Sequence, residues 1–331
     1  MAIKIAINGF GRIGRLAFRQ MIVDDRYDIV AINGSRSPEL YAHLLKYDSC
    51  HGNFMIDEVE ALENAIKVGD TVVDIVNERE PINLPWKELG VDIVLDCTGK
   101  FKTFDTASQH IEAGAKKVII SAPGKEMKTV VFGVNEDILT ADDKVISASS
   151  CTTNCLAPVA KILDDNFGIK IAYMTTVHAY TNDQLTLDKS HKDFRRARAA
   201  AINIIPTTTG AAKSVGLILP KLKGKIDGYA LRVPVATGSL VDLTCEFEKD
   251  TTVEEIQKAF IDNKSEIVGC TNDPIVSTDI IGMRKASLVD LQLIKDIESD
   301  GKKLFKIVSW YDNEMSYTTQ MVRLCEYVTK L

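Results

Sequence analysis

The sequence lacks three features that would assign it to a specialised class of protein. It has no apolar run near the roughly 18 residues that a transmembrane helix requires, and no signal-peptide pattern follows Met1. It also has no excess of positive charge, since its formal net charge is −6 at pH 7. We therefore expect a cytoplasmic protein with small-molecule partners, with no membrane and no specific nucleic acid among them.

The chain has seven cysteines. A disulfide framework typically has an even number of cysteines in a short chain, so this pattern disfavours one. Cys97, Cys245 and Cys325 lie in apolar, strand-like or helix-like stretches and are predicted to be buried, inert thiols. No further ligand follows Cys151 and Cys155 at a metal-binding spacing, so no metal site is predicted. A metal pair or a disulfide between these two thiols is the alternative.

At 331 residues, the chain exceeds the roughly 250–300 residues at which a single core stops growing, so two domains are expected. No internal repeat or low-complexity linker separates them. The first half alternates β-rich runs with helical stretches, which predicts an α/β domain with a doubly wound, mostly parallel sheet. Its predicted strands are Ile3–Ile7, Ile29–Ile32, Val91–Leu95, Lys117–Ile120 and Lys144–Ser147, with a helix from about Arg12 and an antiparallel insertion over 58–76.

Beyond Ser150 the runs become longer, which predicts an α+β domain with a mixed or antiparallel sheet. The boundary of the first domain is therefore predicted at residue 149. The expected strands of the second domain are Ile169–His178, Asp227–Val235, Ser239–Glu248, Ser287–Leu293 and Leu304–Trp310, and its expected helices are Cys151–Asp165, Gly210–Leu219 and Val253–Asn263.

Gly9, Gly11 and Gly14 follow the first predicted strand at the spacing Gly-x-Gly-x-x-Gly and open a predicted helix. In that setting the first glycine permits a tight turn, the second lets backbone approach a pyrophosphate, and the third allows close strand–helix packing. The stretch indicates a dinucleotide phosphate loop, with a purely structural turn as the alternative. The acidic residue that usually follows about 20 residues later is absent, because the second strand ends in Asn33-Gly34-Ser35.

Cys151 follows two serines suited to N-capping and starts a predicted helix. A thiol at a helix N-terminus is expected to ionise more easily, and a nearby histidine lowers its pKa further, which is the usual way to make a cysteine nucleophile. His178 ends a strand-like run and is the candidate partner, with a histidine that only caps the strand as the alternative. His110 and His191 are interpreted as structural histidines.

A reactive thiol, a histidine and a nicotinamide cofactor together indicate oxidation of an aldehyde. The thiol adds to the aldehyde, a hydride passes to the cofactor, and a nucleophile releases the resulting thioester. Phosphorylated reactants would also need anion sites. Four groups of residues are candidates, although each has a salt bridge or a helix cap as its alternative: Thr181, Arg195–Arg198, Thr207–Gly210 and Arg232.

Five segments, Ala6–Arg15, Ser149–Pro158, His178–Thr181, Pro206–Lys213 and Trp310–Glu314, resemble the phosphorylating glyceraldehyde-3-phosphate dehydrogenases. The resemblance spans essentially the whole chain. It implies reversible formation of 1,3-bisphosphoglycerate from D-glyceraldehyde 3-phosphate, inorganic phosphate and NAD(P)⁺ in glycolysis or gluconeogenesis. It also implies a homotetramer, a Rossmann-type first domain over 1–149, a catalytic and tetramer-forming domain over 150–315, and a C-terminal helix over about 316–331 that packs back on the first domain.

The resemblance also implies roles for individual residues. Cys151 would be the nucleophile and His178 the general base. The inorganic phosphate would contact Ser150, Thr152, Arg196, Thr209 and Gly210, and the phosphate of the substrate would contact Thr181 and Arg232. The cofactor would contact Gly9, Gly11, Arg12, Ile13, Gly14, Arg79, Thr98, Ser121, Asn313 and Tyr317, with Asn313 holding the nicotinamide carboxamide.

The chain departs from NAD-specific members of this family at two places that touch the adenosine ribose. Those members carry an acidic residue where this chain has Gly34, and a Leu-Pro pair where it has Lys189-Ser190. Loss of the carboxylate removes its repulsion of a 2′-phosphate, which predicts that NADP is accepted or preferred. Residues at or beside these two places offer hydrogen-bond donors and positive charge instead: Ser35, Arg36, Ser37, Lys189 and Ser190.

Three alternatives remain open. Asn33-Gly34-Ser35 could be only a favourable turn in a strictly NAD-dependent enzyme. An erythrose-4-phosphate dehydrogenase would keep the same thiol and histidine, although Thr207–Gly210 favours the phosphorylating enzyme. A non-catalytic binding role would leave Cys151 and His178 unexplained. Met315-Ser316 also stands where Trp-Gly is usual, so local packing there is uncertain.

Overall fold

Two separate β-sheets form the framework of the protein, and the predicted α/β class is confirmed. The computed structural model describes residues 2–331. The chain divides into two units. Unit 1 contains the residues up to Phe132, Glu136–Ser149 and Thr318–Leu331, and unit 2 contains Gly133–Asn135 and Ser150–Tyr317.

Unit 1 is built on a nine-stranded sheet. Its strands are β1 (Ile3–Asn8), β2 (Tyr27–Asn33), β3 (Val59–Ala61), β4 (Ala65–Val68), β5 (Thr71–Val76), β6 (Ile93–Asp96), β7 (Lys117–Ile120), β8 (Lys128–Thr129) and β9 (Val145–Ser147). They lie in the order β3-β4-β5-β2-β1-β6-β7-β9-β8. The order reverses direction at β1, and such a switch point is where open α/β sheets bind ligands, beyond the carboxyl ends of the strands.

The antiparallel insertion predicted over 58–76 is only partly correct. β3 and β4 pair antiparallel, as do β4 and β5. β5, however, also pairs parallel with β2, with Ala31 opposite Asp74. The last of the three strands, β5, therefore also extends the parallel part of the sheet, because the edge that does not pair with β4 pairs with β2.

Four helices of unit 1 lie between these strands along the chain. They are α1 (Arg12–Met21), α2 (Pro38–Lys46), α3 (Trp86–Leu89) and α4 (Phe104–Glu112). Ser37 caps α2, where its hydroxyl accepts from the Leu40 N–H, and Pro38 stands at the first helical position, which suits its fixed φ. This cap fixes where the chain turns after Asn33 and Gly34.

Unit 2 contains an eight-stranded mixed sheet. Its strands are β10 (Ile169–Ala179), β11 (Ile205–Thr208), β12 (Ile226–Val233), β13 (Ser239–Phe247), β14 (Val268–Thr271), β15 (Ser287–Asp290), β16 (Lys295–Ser299) and β17 (Lys302–Tyr311). Its helices are α5 (Cys151–Phe167), α6 (Ala211–Ile218) and α7 (Val253–Asp262). β10 pairs parallel with β12 and antiparallel with β13, so the predicted mixed sheet is confirmed.

Several boundaries in unit 2 differ from the prediction by one or more residues, and two of these differences have a clear local cause. The strand predicted over Ser287–Leu293 ends at Asp290, because the Asp290 side chain accepts from the Gln292 N–H and starts a 3-10 turn. Thr207 and Thr208 belong to β11 rather than to the start of a helix, since they pair with β12. Only Thr209 and Gly210 stand before α6.

The last helix, α8 (Met315–Val328), carries the end of the chain into unit 1. The Arg26 guanidinium donates to Glu326 at 2.5 Å, and the Thr319 hydroxyl donates to Gln20 at 2.8 Å. The Phe132 and Tyr327 rings meet edge to face at 6.2 Å. These contacts hold the C-terminal residues against the first 132 residues of the chain.

Candidate active site

The glycine loop of unit 1 joins β1 to α1 with very little space between them. Gly9 has a φ of +93°, in the left-handed region that favours glycine. A Cβ on Gly14 would stand 2.2 Å from the carbonyl oxygen of Gly9, so any side chain there would push α1 away from the strand. A Cβ on Gly11, in contrast, would meet no atom within 4 Å. The loop therefore leaves open space at its middle glycine, as a bound pyrophosphate requires.

A buried polar network joins the carboxyl ends of β1, β2 and β6. The Asn8 amide donates to Asp96 at 2.8 Å, and the Asn33 amide donates to Asn8 at 2.7 Å. The Thr98 hydroxyl donates to Asp96 at 2.8 Å. His110 lies 3.3 Å from Asp96 and is fully buried, which fits the structural role predicted for it. The network fixes the turn that carries Thr98.

Arg12 is held by a buried carboxylate. Its guanidinium forms an ion pair with Asp48, which also accepts from the N–H groups of Cys50 and His51 at 2.9 and 3.0 Å. Burial acts to raise the pKa of Asp48, but these donors outweigh it and lower the pKa to about 2. Arg12 is consequently positioned at the start of α1 before any ligand binds.

The segment after β2 is exposed. Ser35, Arg36 and Ser37 all have exposed side chains, and Arg79 on a neighbouring turn is exposed too. The Gly34 N–H donates to Val76, which anchors the backbone where β2 ends. The positive charges predicted for this region are therefore free to meet a ligand from solvent.

The cofactor candidates are divided between the two units. The residues from Gly9 to Ser121 belong to unit 1, where the Ser121 N–H donates to the Asp96 carbonyl at 2.8 Å. Lys189 and Ser190 are exposed residues of unit 2. Asn313 and Tyr317 also belong to unit 2 and are buried there.

In unit 2, Cys151 and His178 come together from two elements. Cys151 is the first residue of α5, and Ser150 caps this helix by accepting from the Thr153 N–H. His178 lies near the end of β10 and is 2% exposed. The Cys151 Sγ stands 3.3 Å from the His178 Nε2, so a proton can pass between them. The predicted pair therefore exists as a direct contact.

The other ring nitrogen of His178 faces a carbonyl and a cation. Its Nδ1 lies 2.6 Å from the Ala179 carbonyl oxygen, and the Arg232 Nη1 donates to the same oxygen at 3.1 Å. Because a carbonyl oxygen can only accept a hydrogen bond, this short distance places a proton on Nδ1. The Arg232 Nη1 also lies 2.8 Å from that nitrogen. The lone pair of Nε2 then points at the thiol. This tautomer makes His178 a proton acceptor.

The easier ionisation predicted for Cys151 is wrong for the protein without reactants. Burial raises the pKa of the Cys151 thiol, and the nearby Arg232 cation together with donors at the start of α5 lowers it only in part. Burial and the Arg232 cation, with a smaller contribution from Arg196, lower the pKa of His178 to about 3. Burial therefore favours the neutral form of both groups, and the neutral imidazole is the form that a general base requires.

Tyr311 connects the residues around this pair, and sequence reasoning gave it no role. Its hydroxyl lies 2.9 Å from the Thr152 hydroxyl and 2.8 Å from the Thr176 hydroxyl, and its ring meets His178 edge to face at 5.9 Å. Tyr311 is fully buried at the end of β17. The sequence signal that could have identified Tyr311 is a polar residue at the end of a buried strand, two positions before Asn313.

Arg196 is held by residues other than those expected for a phosphate site. Its guanidinium pairs with Asp183, its Nε donates to the Thr207 hydroxyl at 2.8 Å, and its Nη2 donates to the Thr208 carbonyl at 3.1 Å. Asp193 accepts from Thr207 at 2.7 Å and so completes the cluster. An incoming anion would compete with Asp183 for this guanidinium.

Three further anion candidates have simple local roles. The Thr209 hydroxyl accepts from the Ala211 N–H, which helps to start α6, and Gly210 precedes that helix with open space around its Cα. The Thr181 hydroxyl donates to Gln184 at 3.3 Å. Arg232 differs from these, because its Nε is buried without a hydrogen-bond partner among residues 2–331. A buried donor of this kind indicates a site for an acceptor.

Asn313 is oriented by its neighbours. Its Oδ1 accepts from the Gly238 N–H at 3.1 Å and from the Ser239 hydroxyl at 2.9 Å. These bonds fix the orientation of the amide, so that its Nδ2 donor points away from Gly238 and Ser239. Ser316 is also accommodated, since its hydroxyl donates to the Met283 carbonyl at 3.0 Å. The unusual Met315-Ser316 pair is therefore packed at the start of α8.

Four of the six cysteines outside the pair are buried or half-buried and have raised pKa values. Cys155, Cys245 and Cys325 are buried and Cys97 is half-buried, and burial raises the pKa of each of these thiols. None of the cysteines among residues 2–331 forms a disulfide, and no described group of three or more potential ligands could hold a metal ion. None of the helices in residues 2–331 has the length and apolar character needed to span a bilayer.

Comparison with known proteins covers nearly the whole chain. Residues 3–104 match the model of the glyceraldehyde 3-phosphate dehydrogenase NAD binding domain, and residues 150–313 match that of the C-terminal domain. The glyceraldehyde-3-phosphate dehydrogenase of Clostridium pasteurianum is 53% identical over 99% of both chains, and that of Clostridium acetobutylicum is 51% identical over the same share. The Streptococcus pyogenes protein of that name is 50% identical over 100% of this chain and 99% of its own length.

Proposed function

The chain belongs to the glyceraldehyde-3-phosphate dehydrogenase family, an NAD(P)-dependent oxidoreductase with an NAD-binding domain, and we propose that it is a phosphorylating member that accepts or prefers NADP. The observation that carries the chemistry is the 3.3 Å contact between the Cys151 thiol and the His178 imidazole. Two arginine-containing clusters beside this pair support phosphorylated reactants. Glycolysis or gluconeogenesis in the cytoplasm is the proposed setting.

Cys151 attacks the aldehyde carbon of D-glyceraldehyde 3-phosphate. The Nε2 of His178 takes the thiol proton as the C–S bond forms, and returns it to the oxygen of the resulting thiohemiacetal. His178 then removes this hydroxyl proton while the hydride leaves the carbon, which produces a thioester on Cys151. The neutral imidazole is the form able to accept each proton.

The nicotinamide cofactor supplies the hydride acceptor when it is bound. The open space at Gly11 and the prepositioned Arg12 support binding of its pyrophosphate. Asn313 would donate its Nδ2 to the nicotinamide carboxamide, and Thr98, Ile13 and Tyr317 would line the same ligand. Inorganic phosphate then attacks the thioester carbonyl, the sulfur leaves, and 1,3-bisphosphoglycerate is released.

Two anion sites are proposed around the thiol. Arg232 would bind the phosphate of the substrate together with Thr181, because its buried Nε needs an acceptor. Arg196 would bind inorganic phosphate, with Ser150, Thr152, Thr209 and Gly210 contributing. Since Thr152 is bonded to Tyr311 and Arg196 to Asp183, phosphate binding must exchange some of these contacts.

The proposal for NADP rests on the segment after β2. No carboxylate stands at Gly34 to repel a 2′-phosphate, and the Arg36 guanidinium is exposed. Lys189 and Ser190 would add a cation and a donor. Residues 3–104 match an NAD binding domain. We therefore expect both cofactors to bind, with NADP used at least as well as NAD.

A homotetramer is supported by apolar side chains that face solvent on unit 2. Phe194 is 87% exposed and Ile202 is 80% exposed, and further exposed apolar residues are Ile171, Tyr173, Leu187 and Ile204. Such groups are costly to leave in water and typically mark an interface. Light scattering should give four times the 36.5 kDa chain mass, and a monomer would contradict this assembly.

The proposal is tested with Cys151→Ser and the matched variant Cys155→Ala, which alters a buried thiol one turn further along α5. Cys151→Ser should abolish cofactor reduction and leave cofactor affinity unchanged, whereas Cys155→Ala should retain turnover. Initial rates should also depend on inorganic phosphate. Full activity of Cys151→Ser would refute the mechanism, phosphate-independent rates would refute the phosphorylating reaction, and a kcat/KM several-fold higher for NAD would refute the cofactor preference.

A further inference from the structure

The space next to Gly34 is occupied by the side chain of another residue. A Cβ built on Gly34 would stand 2.0 Å from the hydroxyl oxygen of Tyr41 and 2.9 Å from its Cζ. The φ of Gly34 is not in the left-handed region, so the backbone itself would tolerate a side chain. What excludes one is the phenol. Position 34 is glycine because Tyr41 occupies its side-chain volume.

Tyr41 cannot easily swing away, because its ring is packed on the phosphate loop. The ring is 5% exposed and meets Phe10 edge to face at 5.3 Å, and Phe10 meets Phe18 in the same way at 5.4 Å. This row of aromatic rings joins α2, the glycine loop and α1. Such contacts contribute beyond simple burial. A substitution at Gly34 must therefore disturb the loop that would bind the pyrophosphate.

The Tyr41 hydroxyl is only half used inside the protein. It accepts a hydrogen bond from the Arg36 N–H at 3.2 Å, which fixes the turn through Gly34. Its own proton has no acceptor among residues 2–331. It stands where β2 ends, which is the place from which an acidic residue normally binds the ribose 2′-hydroxyl of a dinucleotide. A neutral donor has thus replaced an anionic acceptor.

We propose that Tyr41 is the specificity-determining residue of the cofactor site, where its hydroxyl occupies the position of the missing carboxylate and donates to the 2′-oxygen of the adenosine ribose. A carboxylate only accepts hydrogen bonds and repels a phosphate. A phenol can donate either to a hydroxyl oxygen or to a phosphate oxygen. Tyr41 thereby permits both NAD and NADP. This inference deepens the proposed function and rests on it for the NADP contact alone.

The steric half of the proposal is tested by a double-mutant cycle on unfolding. Gly34→Ala should lower the melting temperature in the presence of Tyr41, and the loss should become smaller when Tyr41→Leu provides space. Tyr47→Leu is the matched control, since Tyr47 is an exposed tyrosine that follows the same helix. It should leave the effect of Gly34→Ala unchanged. Equal losses in all three backgrounds would overturn the claim that Tyr41 excludes a side chain at 34.

The recognition half is tested by titrating the tetramer with NAD and NADP and measuring dissociation constants. Tyr41→Phe keeps the ring and should weaken NADP binding about 10-fold, because a donor to a charged oxygen is lost, and NAD binding less. Gly34→Asp combined with Tyr41→Leu should retain NAD binding and weaken NADP binding by at least about 10-fold. Unchanged NADP affinity in both variants would overturn the proposal.

These readouts separate this inference from the proposed function. If the unmodified protein binds NAD far better than NADP, the proposed cofactor preference fails. The coupling between positions 34 and 41 in unfolding and in NAD affinity would still decide the role of Tyr41. Conversely, a protein that uses NADP well but shows no such coupling would keep its proposed function and lose this explanation for it.

Discussion

The thiol cluster of unit 2 and the segment after β2 in unit 1 are built in opposite ways. Around Cys151 the side chains of His178, Tyr311 and Arg232 are buried or half-buried and bonded to one another or to backbone. Around Gly34 the charged and hydroxyl side chains face solvent, and one phenol defines the shape of the turn. The proposed chemistry would therefore depend on many mutual contacts, whereas the proposed choice of cofactor would depend on one or two residues.

The contrast predicts that the largest effects come from the thiol cluster. His178→Gln should lower kcat by about 10²- to 10⁴-fold, the usual contribution of a general base, while the dissociation constants for NAD and NADP stay within error. Steady-state kinetics and cofactor titration measure the two quantities. His43→Gln, which alters an exposed histidine on α2 of unit 1, is the control. A His178→Gln enzyme with normal kcat would break the comparison at its strongest point.

Tyr311→Phe tests whether the cluster acts as a unit. The change leaves the Thr152 and Thr176 hydroxyls without the phenol that joins them, so the free energy of unfolding should fall by about 1–3 kcal/mol. The KM for inorganic phosphate should rise, because Thr152 loses its fixed rotamer. Chemical denaturation and phosphate titration give the two results. Tyr229→Phe, at a partly exposed ring on β12, should change neither, and a stable Tyr311→Phe protein with normal kinetics would contradict the shared network.

Asp48→Asn tests the exception in unit 1, where Arg12 is held by a buried carboxylate. The pKa of Asp48 in the folded protein, about 2, lies below the roughly 3.9 of an unfolded aspartate. The ion pair therefore stabilises the fold above pH 4 and loses this contribution as the pH falls through 2. The difference in unfolding free energy between wild type and variant should be on the order of 2 kcal/mol at pH 7 and should shrink on acidification.

Denaturation from pH 7 to pH 3 measures this difference, with Asp25→Asn at an exposed carboxylate as the control. The affinity for NAD and NADP should fall equally in Asp48→Asn, because Arg12 is expected to meet the pyrophosphate that both cofactors share. A variant that discriminates between the two cofactors would show that the Asp48 ion pair acts on the ribose end instead.

Lys189→Ala should have the smallest effect. An exposed lysine contributes only about 0.2–1 kcal/mol to a pair with a phosphate in water, so the KM for NADP should rise by a few-fold and that for NAD should not change. Kinetics at low and high salt provide the readout, since screening should reduce the difference. Lys192→Ala is the control at a neighbouring lysine. An equal rise for both cofactors would remove Lys189 from the 2′-phosphate site.

Local sequence signals predicted the parts of this molecule that depend on local backbone. Gly14 was assigned to close packing of strand and helix from its spacing alone. A Cβ at this position would stand only 2.2 Å from the Gly9 carbonyl oxygen, which shows why no other residue fits. Ser150 was expected to cap α5 and does so. The α/β class and the family followed from such signals and are confirmed.

The misses arise from contacts between distant parts of the chain. Tyr311 meets Thr152 across 159 residues of sequence, and no local pattern reports such a partner. The pKa of Cys151 was predicted to fall because its place on the helix is local, while the burial that raises it is tertiary. Tyr41 went unnoticed for the same reason, because its conflict with position 34 exists only after α2 has folded over the loop.

The return of the C-terminal residues to unit 1 has a consequence for synthesis. All of unit 2 has been translated by Tyr317, and the last 14 residues to be added, Thr318–Leu331, belong to unit 1. Unit 1 begins first yet finishes last, since Glu326 and Thr319 reach their partners Arg26 and Gln20 only at chain termination. A prematurely terminated chain would therefore contain all of unit 2, with Cys151 and His178, and a unit 1 that lacks the contacts of its last helix.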